Sequence, residues 1–115
     1  MVLEAHDKKV EKILNDSNII LKKIGLEKAK MLKLRLNQLQ ASNNFKEFLD
    51  MGLGKPHPLT GNLDKLYGIN ITANYRLVVE PLVEILDNES LKKCRNINIK
   101  GVMDYHAGKC EWIIP

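Results

Sequence analysis

From Asp7 onward the apolar residues recur at helical spacing. Val10, Ile13, Leu14, Ile20, Leu21 and Ile24, with Ser17 among them, follow one face of a 3.6-residue period. Asp7 stands before them as an N-cap, its carboxylate able to accept from an orphan amide of the first turn. Asp16-Ser17-Asn18 offers a break into two shorter helices, and Gly25 reads as a left-handed C-cap position. A further helix follows, with Leu26, Ala29, Leu32, Leu36 and Leu39 on its inner stripe. Met31 and Leu34 lie off that stripe, which predicts burial on more than one side. Joined at Gly25, the helices should form an antiparallel hairpin. Asn43-Asn44 ends the second helix, and Asn44 with Glu47 resembles a capping box for a short helix through Phe48 and Leu49.

After that the pattern changes. Gly52, Gly54, Pro56, Pro58 and Gly61 crowd one stretch, which reads as irregular. Beyond Leu63 the period becomes two: Tyr67, Ile69 and Ile71, then a turn at Ala73-Asn74, then Tyr75, Leu77 and Val79. Pro81 ends this ladder because it has no amide to donate. Residues 84–95 are charged and turn-rich, an exposed insertion with a short helix over Glu89 to Lys93. A third strand carries Ile97, Ile99 and Met103 and ends in Asp104-Tyr105-His106. Gly108 turns the chain, and Trp112-Ile113-Ile114 adds a short edge strand. Val2-Leu3 is a candidate for another. Helices first and antiparallel strands after predict an α+β fold, a helical hairpin packed on a small antiparallel sheet.

Length agrees with one domain spanning residues 1–115, since a domain takes about 100–200 residues. With 44% hydrophobic and 28% charged residues, the chain is no disordered tail, collagen or disulfide scaffold. Cys94 and Cys110 have no CxxC spacing, and with His6, His57 and His106 scattered no zinc pattern emerges. The expectation is two reduced thiols, no metal and no cofactor. The polar N-terminus is unlike a signal peptide and no apolar run approaches a membrane span, so the expected location is the cytoplasm.

The net charge is +4, with a sequence pI of about 9.1. Lys22, Lys23, Lys28, Lys30, Lys33 and Arg35 face only Glu27 in their stretch of the helical hairpin. Such a surface is either an ordinary solvated helix face or one that meets a polyanion. Aromatics are only 5%, few for a base-stacking platform.

Three polar positions carry the candidate chemistry. His57 sits on the Gly/Pro loop, Arg76 in mid-strand, and His106 after Tyr105 at a strand end. Two imidazoles, a guanidinium and a phenol can cleave RNA. One imidazole takes the 2′-OH proton, another protonates the leaving 5′-oxygen, and the guanidinium steadies the charged phosphate. Each also has an ordinary reading, His57 as an exposed loop residue and Arg76 as an ion-pair partner of Glu80 or Asp104.

Taken together, Lys55-Pro56-His57-Pro58-Leu59-Thr60-Gly61-Asn62, Tyr67-Gly68-Ile69, Ala73-Asn74-Tyr75-Arg76-Leu77 and Asp104-Tyr105-His106 resemble the RelE/ParE toxin superfamily, with the nearest look to HigB. The segment Met31 to Leu39 fits the second helix of that family. The resemblance spans roughly residues 1 to 106 in the right order. It implies a microbial-RNase-like α+β fold and a ribosome-dependent endoribonuclease that cuts mRNA and arrests translation. It implies as partners a cognate HigA-like antitoxin, the ribosome and mRNA, and no membrane. Carried over, the catalytic set is His57, Arg76, Tyr105 and His106. Lys55, Lys65, Lys30, Lys33 and Arg35 are expected to meet RNA or its phosphates.

The chain also departs from the family pattern. Thr60 stands where the family often has Lys, the insertion from Val83 to Arg95 is longer than in compact relatives, and the chain runs on past His106 to Pro115. Two other readings therefore stand beside the first: a catalytically weak or inert RelE-fold module that binds an antitoxin, and a ParE-like inhibitor of DNA gyrase.

Overall fold

Sheet and helices divide the chain as the periodicity predicts. The computed structural model describes all 115 residues. In order they form β1 (Val2–Ala5), α1 (Lys8–Leu14), α2 (Ser17–Ile24), α3 (Leu26–Ala41), α4 (Phe45–Met51), β2 (His57–Pro58), β3 (Tyr67–Asn70), β4 (Tyr75–Pro81), α5 (Asn88–Lys93), β5 (Asn96–His106) and β6 (Lys109–Ile114). The α+β class holds.

Short polar side chains set the helix starts. The Asp7 carboxylate accepts from the Val10 amide at 2.9 Å, and Asp16 accepts from Asn18 and Ile19. Asp16 is thus where the first apolar stretch breaks into α1 and α2. Asn44 caps α4 through the Glu47 amide at 2.8 Å, while the Glu47 carboxylate accepts from Asn43. Asp87 caps α5 through Ser90, and these hydrogen bonds to Ser90 hold its carboxyl below the ordinary range. Gly25 has a positive φ of 83° with extended ψ. It ends α2 and starts α3 at once, a corner that a side chain would strain.

The sheet order is β1-β5-β4-β3-β2, with β6 also on β5. β4 occupies one edge of β5 along most of its length. β1 pairs with the first half of the other edge, Val2 to Ala5 against Asn96 to Ile99, and β6 with the second half. Gly101 lies between the two, where a Cβ would run into the Ile114 carbonyl. Only glycine lets β6 close on β5 there.

Three details differ from the sequence expectation. The sheet is mixed, because β1 runs parallel to β5. The Gly/Pro stretch is not wholly irregular: His57 and Pro58 pair with Gly68 and Tyr67 as an edge strand, and Gly61–Leu63 forms a single tight turn. Pro58 is tolerated because an edge strand has one side with no ladder to complete. Leu26 and Leu34 are exposed, 58% and 43%, so α3 buries one side, through Leu32 and Leu39.

Each face of the sheet has its own apolar layer. Leu77 and Val79 of β4 point to the helices, where they join Val10, Leu32, Leu39, Phe45, Phe48, Ile69, Ile97 and Ile99. Phe45 stacks on Phe48 and meets the Tyr67 ring edge-on at 5.0 Å. Burying each such side chain contributes about 1.5–3 kcal/mol. Val78 points the other way, into a smaller cluster with Leu59, Leu66 and Met103, flanked by Leu63 and Tyr105. The loop from Leu59 to Leu66 therefore folds over the sheet face that the helices leave open.

Candidate functional site

Strand alternation decides which polar residues share the open face. Arg76 and Val78 are two apart on β4, and Arg76 lies in register with Met103 of β5. Tyr105 is two beyond Met103. Arg76, Val78, Met103 and Tyr105 thus share the face opposite the helices. The Arg76 guanidinium lies over the Tyr105 ring, 5.0 Å from its centre, and its Nη1 donates to the Ala73 carbonyl at 2.7 Å. Its Nε is buried without a partner. The guanidinium is thereby oriented, with its Nε shut away from solvent and its Nη1 end exposed.

His57 reaches the same face from β2. It is in register with Gly68, which is in register with Val78. Its Nδ1 lies 3.1 Å from the Lys55 carbonyl. A carbonyl only accepts, so Nδ1 is the donor there and Nε2 is the nitrogen left without a partner. A Cβ on Gly68 would stand 3.5 Å from that Nε2, so glycine leaves the nitrogen open. Two strand spacings and a two-residue offset put the His57 and Arg76 backbones roughly 12 Å apart.

Burial pushes the Tyr105 phenol up, Cys110 pushes it further, and the Arg76 charge opposes both. Tyr105 is therefore a protonated donor at neutral pH.

His106 is placed differently. Asp104 is in register with Tyr75, whose phenol is raised by burial and by the charges of Asp104 and Glu111. Lys28 of α3 sits over the Tyr75 ring at 4.7 Å, which marks this as the helix side. His106 is two beyond Asp104, and its Nδ1 lies 3.3 Å from the Asp104 carboxylate. The contact fixes Nδ1 as donor and leaves Nε2 outward. His57, Arg76 and Tyr105 are brought to one face; His106 stands at the strand end, turned to the other.

The predicted phosphate contacts also separate. Lys55 and Lys65 flank the loop over the open face, and both adopt positive φ, 47° and 70°. Non-glycine residues rarely hold that conformation, and such strain gathers at functional loops. Thr60 lies between them, exposed. Lys30 and Lys33 line an apolar groove in the helical layer, far side of the sheet from Arg76. Arg35 is tied into the structure: its Nε donates to the Asn70 carbonyl at 2.9 Å and its Nη1 to Gln38. It braces α3 against β3.

One residue of the face escaped sequence reasoning. Asn70 is in register with Arg76, and its side-chain oxygen is buried without a partner, like the Arg76 Nε beside it. The only sequence signal was its parity in the Tyr67 to Ile71 alternation. Cys94 is buried and bonded to the Asn96 carbonyl, with its thiol pushed up by burial, while Cys110 is exposed; both are free. No three His, Cys, Asp or Glu side chains are grouped to hold a metal, and no helix is long and apolar enough to cross a membrane.

No protein-family model and no curated protein matches the sequence. Solved structures do match. A YoeB–YefM complex from Staphylococcus aureus aligns with a TM-score of 0.54 at 20% identity, over 92% of this chain and 97% of that one. A heterotetrameric YoeB–YefM toxin–antitoxin complex from the same organism gives the same values. A YoeB/ParE toxin from Agrobacterium tumefaciens aligns with a TM-score of 0.51 at 18% identity, over 92% and 99%. The chain has the fold of these toxins. On that toxin fold, the face left open by the helices carries Arg76, Tyr105, His57 and Asn70.

Proposed function

We propose that the protein is the toxin of a type II toxin–antitoxin pair, an endoribonuclease of HigB type that cuts mRNA on the ribosome in the cytoplasm. The observation that carries this reading is the open face itself. A guanidinium with an exposed edge, held over a phenol, shares it with an imidazole whose Nδ1 is held by a carbonyl and whose Nε2 is left without a partner.

In the reaction, His57 Nε2 takes the proton of a ribose 2′-OH. The 2′-oxygen attacks the adjacent phosphorus, and the bond to the 5′-oxygen breaks, leaving a cyclic phosphate. Arg76 faces the charge that gathers on the phosphoryl oxygens. Tyr105 holds the guanidinium plane and offers a ring to a base. His106 returns a proton to the leaving 5′-oxygen. Asp104 holds that ring away from Arg76 in the free protein, so the role requires the strand end at Ala107-Gly108 to turn when RNA is seated. Contacts of catalytic groups often tighten only in the complex.

The two Staphylococcus aureus neighbours are YoeB–YefM complexes, which supports an antitoxin partner here, and a HigA-like protein fits the HigB resemblance. The mildly basic chain favours an acidic segment of that partner.

The deciding experiment is expression with and without the adjacent open reading frame, followed by mapping of mRNA ends. The reading expects growth arrest and discrete cuts that vanish in Arg76→Ala and His106→Ala. Arrest without cuts, accompanied by DNA damage, would replace it with gyrase inhibition. A silent chain that still binds the antitoxin would replace it with an inert module, as Thr60 favours.

A further inference from the structure

Past the Leu59–Leu66 loop, the same sheet face holds a second cluster that the cleavage chemistry does not use. His6, Lys100 and Trp112, with Leu63 and Leu66, line a cleft of about 460 Å³. Trp112 is 44% exposed although it carries the largest apolar side chain in the protein. Lys100 is the extra residue of a bulge in β5, between Gly101 opposite Val78 and Ile99 opposite Val79. The bulge turns its side chain onto this face, where the ammonium lies 3.1 Å from His6 Nδ1 and 3.8 Å from Glu80. An ammonium only donates, so His6 accepts at Nδ1 and carries its proton on Nε2. Asp7 also borders the cleft, but its carboxylate is occupied in capping α1.

The register ties this cleft to the candidate site. Arg76 is opposite Met103, and Met103 is opposite Trp112. The three form one row across β4, β5 and β6, so Trp112 stands about 10 Å from Arg76 along the sheet. Met103 in the middle of the row lies under the Leu59–Leu66 loop, whereas half-buried Tyr105, beside it, leaves a path between Arg76 and Trp112. An extended single strand whose phosphate rests at Arg76 would bring a neighbouring base and phosphate over Trp112 and Lys100.

We propose that Trp112, Lys100 and His6 form a second nucleotide subsite for single-stranded RNA. The Trp112 ring stacks one base next to the cut, Lys100 meets its phosphate, and the His6 Nε2–H donates to the same nucleotide. Glu80 partly offsets the Lys100 charge, so stacking supplies most of the affinity and the site is tolerant of base identity. The inference rests on the RNA-cleaving reading, and β6, which lies beyond the motifs that suggested it, supplies the ring.

Trp112 is the only tryptophan in the chain, so its fluorescence reports this cleft directly. The test titrates the full chain with a short single-stranded oligoribonucleotide bearing 2′-O-methyl groups, which bind but cannot be cut. Saturable quenching is expected, persisting in Arg76→Ala. By anisotropy, Trp112→Ala weakens binding roughly tenfold or more, and Trp112→Phe restores most of it. Lys100→Gln lowers the salt slope by about 0.7, the share of one single-strand phosphate contact. Binding without a fluorescence change, or with equal affinity in Trp112→Ala, overturns the subsite and leaves the cleavage reading intact. Absence of binding by either signal overturns it too. Quenching together with no mRNA cuts in cells upholds the subsite and sinks the nuclease.

Discussion

Arg76 is the residue whose removal tells most. Its structural role is small and can be bounded. The Nη1 bond to the Ala73 carbonyl is exposed, about 1 kcal/mol. The guanidinium over Tyr105 adds about 0.5–1 kcal/mol. Against these, Arg76→Ala removes a buried Nε with no partner, a penalty of about 1–3 kcal/mol. The terms nearly cancel, so the variant should fold with a midpoint close to the parent. Its chemistry should not survive. Loss of a donor aimed at transition-state charge costs about 10²–10³ in rate. Arg76→Lys keeps a charge but not the planar fork, and should recover only part.

The assay is mapping and quantifying mRNA ends from programmed ribosomes at equal amounts of folded protein. A second readout needs no activity. Arg76 is the charge that lowers the Tyr105 phenol, so in Arg76→Ala one of three tyrosines should titrate higher by phenolate absorbance. Full cleavage by a folded Arg76→Ala protein would refute the site. An unmoved tyrosine titration would refute the geometry beneath it.

Four further outcomes follow from the same structure. Tyr67, Tyr75, Tyr105 and Cys94 all titrate above their ordinary values of 10.0 and 9.0 in the folded chain. The native state therefore holds protons that the unfolded chain has released, so stability is full below about pH 9 and falls as pH rises further; urea midpoints from pH 7 upward that stay flat would contradict this. The β5–β6 turn uses Ala107 and Gly108, both with positive φ, so Ala107→Gly should stabilise by about 1 kcal/mol, some 3–5 °C in Tm, and a lower Tm would count against the turn. Gly101→Ala sets a Cβ against the Ile114 carbonyl and should cost about 3 kcal/mol or more in thermal unfolding; a near-neutral result would mean that β6 does not close on β5. Asp104→Asn loosens the hold on His106, so cleavage should change while the Trp112 quenching by RNA stays as it was.

Much of the architecture was legible in local pattern. Asp7, Asp16, Asn44 and Asp87 mark helix starts because a short acceptor beside an orphan amide is a local event. The alternation around Tyr67 to Val79 marks a hairpin for the same reason: period two needs no distant partner. The direction of β1 was not legible. Val2 to Ala5 could pair either way, and only the place of β5 in the sheet settles it. The pairing of His57 with Gly68 was hidden too, because prolines on both sides argued against any strand.

The candidate residues divide along that line. Sequence alone named the groups capable of the chemistry, His57, Arg76, Tyr105 and His106, since residue type dictates what can move a proton or face a phosphate. It also set the side of each within its own strand, through alternation. Which groups meet was decided by register between strands far apart in the chain. That register places Arg76 over Tyr105 and sets Trp112 in the row of Arg76, while the Asn70–Arg76 pair belongs to one hairpin and the His106–Asp104 contact to β5 itself. Lys30, Lys33 and Arg35 carry the same charge as Lys55 and Lys65, yet they occupy the other layer. Charge is a property of the residue; its place depends on which face of the sheet the helix covers.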